Sequence, residues 1–308
     1  MMEQKKKVLF VATVVKTHIN TFHLPFLKMF KEYEWEVHVA AKNDFVDEPC
    51  VIPNCDRHFD IDFARSPFSK SNIKAYKQLK QIIETNHYDI IHCHTPVAGV
   101  LTRLAARTAK GTTVIYTAHG FHFYQGAPLI NWLVYYPVER VCGKFTDKLI
   151  TINQEDYHRA NSWRLRNNGK IYYVPGIGVD LEEIQNISIN KVQKKKEIGI
   201  SNDVKVLLSV GELNKNKNHE IIIRVLSKLT NKNFIYLICG NGELKEYLKS
   251  EGVEHALIDL GGNVLAIGDK PDGSSFLIGI QKPFDDRGEP IASIELNDQA
   301  AVTSGTYQ

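Results

Sequence analysis

Val8-Leu9-Phe10-Val11-Ala12-Thr13-Val14-Val15 is the stretch whose reading decides the fold. It is a continuous apolar run closed by the polar segment Lys16-Thr17-His18, as expected of a strand buried on both faces of a parallel sheet. Working outward, the chain alternates. His23–Tyr33 carries Leu24, Leu27 and Phe30 at helical spacing, and Glu36–Ala41 reads as a second strand. Ile73–Thr85 is helical, Asp89–His92 a short strand and Val97–Thr108 a helix. Thr113–Thr117, Lys148–Ile152 and Ile171–Val174 are further strands. Strand and helix in alternation predict an α/β, Rossmann-like domain over residues 1–185, with helices on both faces of a parallel sheet.

Pro175-Gly176-Ile177-Gly178 makes a turn, and a Lys/Gln/Asn-rich connector leads to Asp203. A second α/β unit then starts over residues 186–250, with strand Val204–Val210, helix Asn218–Leu229, strand Phe234–Cys239 and helix Glu243–Ser250. From His255 the period changes to alternation. Ala256–Leu260, Asn263–Ile267, Phe276–Gln281 and Ile291–Leu296 read as four strands, with turns at Gly261-Gly262 and Pro271-Asp272-Gly273. The expectation for residues 253–308 is an antiparallel β meander, an odd companion for an unfinished parallel domain. Charge breaks at the same place. From Val253 onward Lys270, Lys282 and Arg287 face nine Asp/Glu, a net of −6. The whole chain has 38 basic and 35 acidic residues, so 35 against 26 remain before the break, a net of +9.

Bulk composition is that of an ordinary globular chain, 43% apolar and 24% charged over 308 residues, enough for two domains with real cores. No stretch approaches the roughly 20 apolar residues of a membrane span. The run behind Lys5-Lys6-Lys7 is short and reads as a first strand, not a leader. Five scattered cysteines without a Cys-x-x-Cys pair point to reduced thiols in a cytoplasmic protein and away from zinc. The lysine clusters lack interleaved aromatics, so no nucleic-acid partner is expected.

Four features fall at strand ends, where open α/β sheets bind ligands. The loop Thr13 to Phe22 presents Lys16, His18, Asn20 and Thr21. It can hydrogen-bond a hydroxyl-rich ligand, or it is an ordinary polar loop. His92-Cys93-His94-Thr95-Pro96 puts two histidines on one face of a strand. With no obvious third ligand, a packed hydrogen-bonded pair is expected and no metal site. In Thr117-Ala118-His119-Gly120, Gly120 allows close backbone approach and His119 can bond a hydroxyl or shuttle a proton. Val210-Gly211-Glu212-Leu213 leads through Lys217 to a helix start, and Cys239-Gly240-Asn241-Gly242 repeats the strand–Gly–helix junction, a geometry that attracts phosphate. The stretch Ala127 to Lys148 sets Leu129, Trp132, Leu133 and Tyr136 at helical spacing ahead of Arg140, Lys144 and Lys148. It reads as a core-facing helix, with a membrane-resting patch as the alternative.

Together, His92-Cys93-His94-Thr95, Thr117-Ala118-His119-Gly120, Lys148-Leu149-Ile150-Thr151-Ile152-Asn153, Val174-Pro175-Gly176-Ile177-Gly178-Val179-Asp180 and Val210-Gly211-Glu212-Leu213 resemble the retaining GT-B glycosyltransferases of the family-4 type. The resemblance implies transfer of a sugar, often UDP-linked, to a surface-polysaccharide or lipid-linked acceptor, with no metal or other cofactor and with possible peripheral contact at the inner face of the plasma membrane. It implies His119 as the catalytic residue, in contact with the donor sugar. Gly120, Gly211, Lys217, Gly240 and Gly242 would bind the donor, and His18, Asn20, Thr21 and His94 would lie on the acceptor side. Glu212 stands where many members carry Arg. The acidic motif that would hold the donor ribose is missing, which implies impaired transfer. The run Asp259-Leu260-Gly261-Gly262-Asn263 and the end Thr303-Ser304-Gly305 resemble FAD:protein FMN transferases instead, with Asp259, Gly261, Gly262 and Asn263 in the flavin-site segment. FAD and magnesium would matter only if that fragment functioned. The alternative to a transferase is therefore a non-catalytic chimera of two gene fragments, or a flavin-transferase fragment.

Overall fold

The computed structural model describes residues 5–46, 48–176, 178, 181–185, 188–197, 200–230, 233–240, 242, 244, 247, 256–259, 263–267, 273–280, 292–296 and 300–302. The chain divides into two compact units, Met1–Asp180 and Leu181–Gln308.

In the first unit seven strands form one sheet: β1 (Lys7–Val14), β2 (Glu36–Lys42), β3 (Arg57–Asp60), β4 (Ile90–His94), β5 (Thr113–Ala118), β6 (Lys148–Thr151) and β7 (Lys170–Tyr173). Their order is β3-β2-β1-β4-β5-β6-β7, and every pairing is parallel. β3 escapes sequence reading because it is a four-residue edge strand with a polar residue at each end. The run that opened the reading is the sheet's centre. Leu9 and Val11 enter one core, while Val8, Phe10 and Ala12 enter the other, as period-two alternation requires. Strand order reverses between β1 and β4, which makes the carboxyl ends of those two strands the expected ligand crevice.

The segment read as a polar loop after β1 is helical instead. A π-helical turn covers Val15–Ile19 and runs into the short α1 (Asn20–Phe22) and then α2 (Leu24–Glu32). Val15 and Ile19, four apart, are both fully buried, so core burial winds the segment into a helix. The Asp44 carboxylate accepts the Lys16 and Thr17 backbone N–H groups at 2.6 and 3.2 Å, which holds the turn. The remaining helices of this unit are α3 (Ser71–Asn86), α4 (Pro96–Ala105), α5 (Leu129–Gly143) and α6 (Gln154–Ala160). α5 divides the expectation for its stretch. Trp132 and Tyr136 pack on the core, whereas Leu129 and Leu133 are exposed.

The second unit holds α7 (Leu181–Gln185), α8 (Lys191–Glu197), β8 (Lys205–Val210), α9 (His219–Ser227) and β9 (Phe234–Cys239). β8 and β9 form a two-stranded parallel sheet. The helix expected over residues 243–250 lies mostly outside the described residues. Beyond it come β10 (Ala256–Asp259), β11 (Asn263–Ile267), β12 (Phe276–Ile280), β13 (Ala292–Leu296) and β14 (Ala300–Val302). All their pairings are antiparallel, as expected, but the connectivity is not one continuous meander. Among the described residues β12 and β13 pair only with each other, and β14 returns to β11, giving a β10-β11-β14 sheet and a separate hairpin. Among the described residues no tail strand hydrogen-bonds to β8 or β9. No helix among them is long and apolar enough to cross a membrane. No disulfide joins the cysteines among the described residues.

Candidate functional site

At the β1/β4 switch point the two strand ends are tied together. The Thr13 and Thr95 hydroxyls share a hydrogen bond of 2.7 Å, and Thr95 Oγ1 also donates to the His94 carbonyl at 2.6 Å. Thr95 sits at φ 62°, a left-handed backbone that a β-branched residue rarely adopts, and Pro96 follows as the first residue of α4. Sequence reading passed over both threonines. Backbone strain at a strand end is a tertiary fact without a compositional signal.

Four histidines converge on this crevice. His18 comes from the π-helical turn, His23 precedes α2, His94 ends β4 and His119 follows β5. One ring nitrogen from each lies within 4.8 Å of the others. His23 and His94 are stacked with centroids 3.8 Å apart, His18 stands 5.1 Å edge-on from His119, and His119 Nε2 is 3.3 Å from His94 Nδ1. The rings of His92 and His94 pack together, centroids 4.2 Å apart, as expected of a pair at the strand's end. His92 Nε2 bonds the Thr117 hydroxyl at 2.8 Å, while His94 joins three histidines that lie 71–76 residues away before it or 25 after it. The expectation that no further ligand stands near His94 is thus corrected. The missing partners are remote in sequence, and the parallel crossover brings every strand's carboxyl end to one edge. His23 was read only as a helix start; its signal was being a further histidine in the segment after a central strand.

The loop carrying His119 is held firmly. Gly120 adopts φ +123°, which a side chain would strain. The next N–H, of Phe121, donates to Asp156 at 2.9 Å. Asp156 is buried in the first turn of α6, where Asn153 caps the helix by accepting the Asp156 N–H at 2.8 Å.

Burial lowers all these imidazoles. His18 falls to about 4, with His119 adding to the effect; His23 falls to about 3, with His18, His92 and His119 adding. Burial and then His119 bring His92 to about 3, and burial with the other four histidines holds His94 well below its usual value. His119 is lowered by burial alone. The cluster is neutral near pH 7, able both to accept and to donate hydrogen bonds. Of the remaining acceptor-side residues, Asn20 donates to the Val51 carbonyl at 2.9 Å and Thr21 to the Lys16 carbonyl at 3.1 Å, so both also serve the local fold.

Beside His18 opens a cavity of about 520 Å³ with Phe68, Val97, Val100, Val134 and Val138 on its walls and Arg65 among its polar residues. Glu139 also lines it, and belongs to a buried pair with Arg103 (2.8 Å) over which the Tyr116 ring is packed, 3.9 Å from the guanidinium.

In the second unit, Gly211, Lys217, Gly240 and Gly242 come together at the carboxyl ends of β8 and β9. A Cβ on Gly240 would stand 1.8 Å from the Gly211 carbonyl oxygen, and one on Gly242 2.4 Å from that of Leu213, so only glycine lets these backbones meet. The Lys217 side chain lies along Gly211, about 3.5 Å from where a Cβ would be. Of the flavin-like residues, Asp259 ends β10 and Asn263 begins β11. Gly261 and Gly262 lie outside the described residues.

Residues 7–153 match the Glycosyl transferase 4-like family model, residues 190–272 that of Glycosyl transferases group 1, and residues 241–308 the ApbE family. The front of the chain therefore consists of glycosyltransferase domains of the 4-like and group 1 families, and its end of a fragment of the ApbE, FAD:protein FMN transferase, family. The chain is 48% identical over 230 residues to the Putative glycosyltransferase EpsD of Bacillus subtilis (74% of this chain, 58% of that protein). It is 35% identical over 185 residues to the UDP-Gal:alpha-D-GlcNAc-diphosphoundecaprenol alpha-1,3-galactosyltransferase of Escherichia coli (58% and 46%). It is 45% identical over 65 residues to the FAD:protein FMN transferase of Klebsiella pneumoniae (21% and 19%). The chain thus spans about half the length of the curated glycosyltransferases it matches. Among solved structures, it resembles the sucrose-phosphate synthase of Thermosynechococcus elongatus (TM-score 0.57, 14% identity, 81% of this chain and 67% of that one). It also resembles Anabaena HepE in complex with UDP and glucose (0.54, 18%, 80% and 64%). At such identities the likeness speaks for the GT-B fold alone.

Proposed function

We propose that the chain is a retaining glycosyltransferase that takes a sugar from a UDP-linked donor and passes it to a lipid-linked or surface-polysaccharide acceptor at the inner face of the plasma membrane, with turnover weakened by the segment that follows. The observation that carries this reading is the convergence of His18, His94 and His119 at the switch-point crevice, beside a cavity with apolar walls. Neutral imidazoles suit sugar hydroxyls, and apolar walls suit a lipid carrier. Leu129, Ile130 and Leu133, exposed on the helix that supplies Val134 and Val138, would face that lipid surface. The E. coli relative is named for a UDP-sugar donor and a diphosphoundecaprenol acceptor. His119 would contact the donor sugar. Lys217 above the glycine-built junction would neutralise the diphosphate and stabilise the leaving group. Impairment follows because the group 1 match stops at 272, already overlapped from 241 by the ApbE match.

A second reading, a non-catalytic chimera, is favoured by one observation. β8 would be a buried central strand in a finished parallel domain, yet Leu208 is 61% and Val210 77% exposed. One experiment separates the two. The purified chain is incubated with UDP-galactose or another UDP-sugar and GlcNAc-diphosphoundecaprenol, with melting followed in parallel. Slow transfer, lost in a folded His119→Ala variant, together with a UDP-dependent rise in melting temperature, supports the transferase. No transfer and no UDP shift supports the chimera. FAD with magnesium is expected to leave the melting temperature unchanged; a rise would reassign the chain to flavin chemistry.

A further inference from the structure

Among the described residues, eight buried side-chain nitrogen or oxygen atoms have no hydrogen-bond partner, and four of them are histidine nitrogens of the crevice: His18 Nε2, both nitrogens of His23, and His94 Nε2. His23 and His94 are almost wholly buried, at 2% and 1% exposure. A buried polar atom without a partner is destabilising, and four of them in one place compound that cost. Hydrogen bonding among the rings does not relieve it. Their one mutual bond is the 3.3 Å contact of His119 Nε2 with His94 Nδ1, which leaves the four orphaned atoms as they are.

We propose that His18, His23, His94 and His119 form a binding site for one divalent transition-metal cation of the zinc class. The donor set is four imidazoles, which suits zinc, cobalt, nickel or copper and disfavours magnesium or calcium, whose ligands are oxygens. Four ligands at about 2.0–2.1 Å from a tetrahedral centre lie about 3.4 Å apart. The four ligand atoms now lie within 4.8 Å of one another, and closing around an ion turns the rings, the stacked His23 and His94 included. Part of the ligand support is already built. His94 ends a central strand beneath the strained Thr95, and the His119 loop is pinned through Phe121 to Asp156. His18 lines the 520 Å³ cavity, which gives the ion a way in. The site shares His18, His94 and His119 with the crevice proposed for the sugar, so a bound ion and the sugar contacts compete there; Co²⁺ binding is read without any transfer assay, so the two readings fail separately.

The test uses the tag-free full chain, stripped with EDTA and titrated with Co²⁺ alone. One equivalent is expected to bind and to give the visible d–d absorption of four-coordinate Co²⁺, with Zn²⁺ displacing it. His18→Ala and His119→Ala, at the two half-buried positions, should each weaken Co²⁺ binding at least tenfold, and His158→Ala, an exposed histidine outside the cluster, should leave it unchanged. X-ray absorption on the unmodified chain should count four imidazole nitrogens around the metal, a readout that does not depend on whether any variant folds. Absence of bound Co²⁺ at equimolar metal, fewer than three imidazoles around it, or unchanged binding in a folded His18→Ala/His119→Ala double variant would overturn the site.

Discussion

Arg103 and Glu139 show how a single residue's role depends on what surrounds it. Arg103 is 1% exposed, and its Nε and Nη1 donate to the Gly99 carbonyl (2.9 Å) and to Glu139 (2.8 Å). Burial opposes the guanidinium charge, and Glu139 more than offsets that, holding it firmly protonated. Removing one partner of a buried pair costs more than the pair contributes, because the other charge stays buried. Glu139→Ala is therefore expected to lower stability by about 3–5 kcal/mol. Replacing both residues with apolar side chains of similar volume should recover most of it. Urea midpoints of the single and double variants check this, and a single-variant loss below 1 kcal/mol would mean that water reaches Arg103. Nothing in Pro96–Ala105 or Leu129–Gly143 marks this arginine as interior when read by period alone.

At the scale of elements, β1 and β8 have similar sequences and opposite environments. Both are short apolar runs read as the opening strand of an α/β unit. β1 is flanked by β2 and β4 and is buried along most of its length. Among the described residues β8 has one partner, β9, and is exposed along most of its length. An apolar strand left open is a template for association. Leu208→Lys is thus expected to reduce light scattering of the concentrated chain severalfold while leaving the melting temperature of the first unit within a degree or two. Equal scattering from the variant would show that β8 is covered in solution. The antiparallel character of the tail was legible from its alternating pattern. Its division into two sheets was not, because the return of β14 to β11 is a pairing choice between strands of similar composition.

At the scale of the molecule, a charged knot ties several elements of the first unit together. Asp147 accepts the Val114 N–H at 2.7 Å and the Asn167 amide at 3.1 Å, and it pairs with Arg166, which also donates to the Thr112 carbonyl at 2.7 Å. Burial alone would raise the Asp147 carboxyl; Arg166, the Val114 N–H and Asn167 outweigh it and hold it below the ordinary carboxylate range. A depressed folded-state value means the contribution is complete above about pH 3.9, the unfolded value, and is lost as pH falls through the folded one. Asp147→Asn should accordingly lower stability at pH 7 and flatten the acid limb, as read from urea midpoints at pH 7, 4 and 3. A variant with the same acid slope as the parent would assign that slope to other groups. The sequence by itself determined the alternation of strand and helix, the central place of Val8 to Val15, the change of character near residue 250 and the strand-end positions of His18, His94 and His119. Those follow from period and composition, which are local. Only the tertiary structure decided that His23 completes a four-histidine cluster, that Thr95 is strained and that β8 stays open. Those depend on which strand ends the crossovers bring together, and neither period nor composition encodes that.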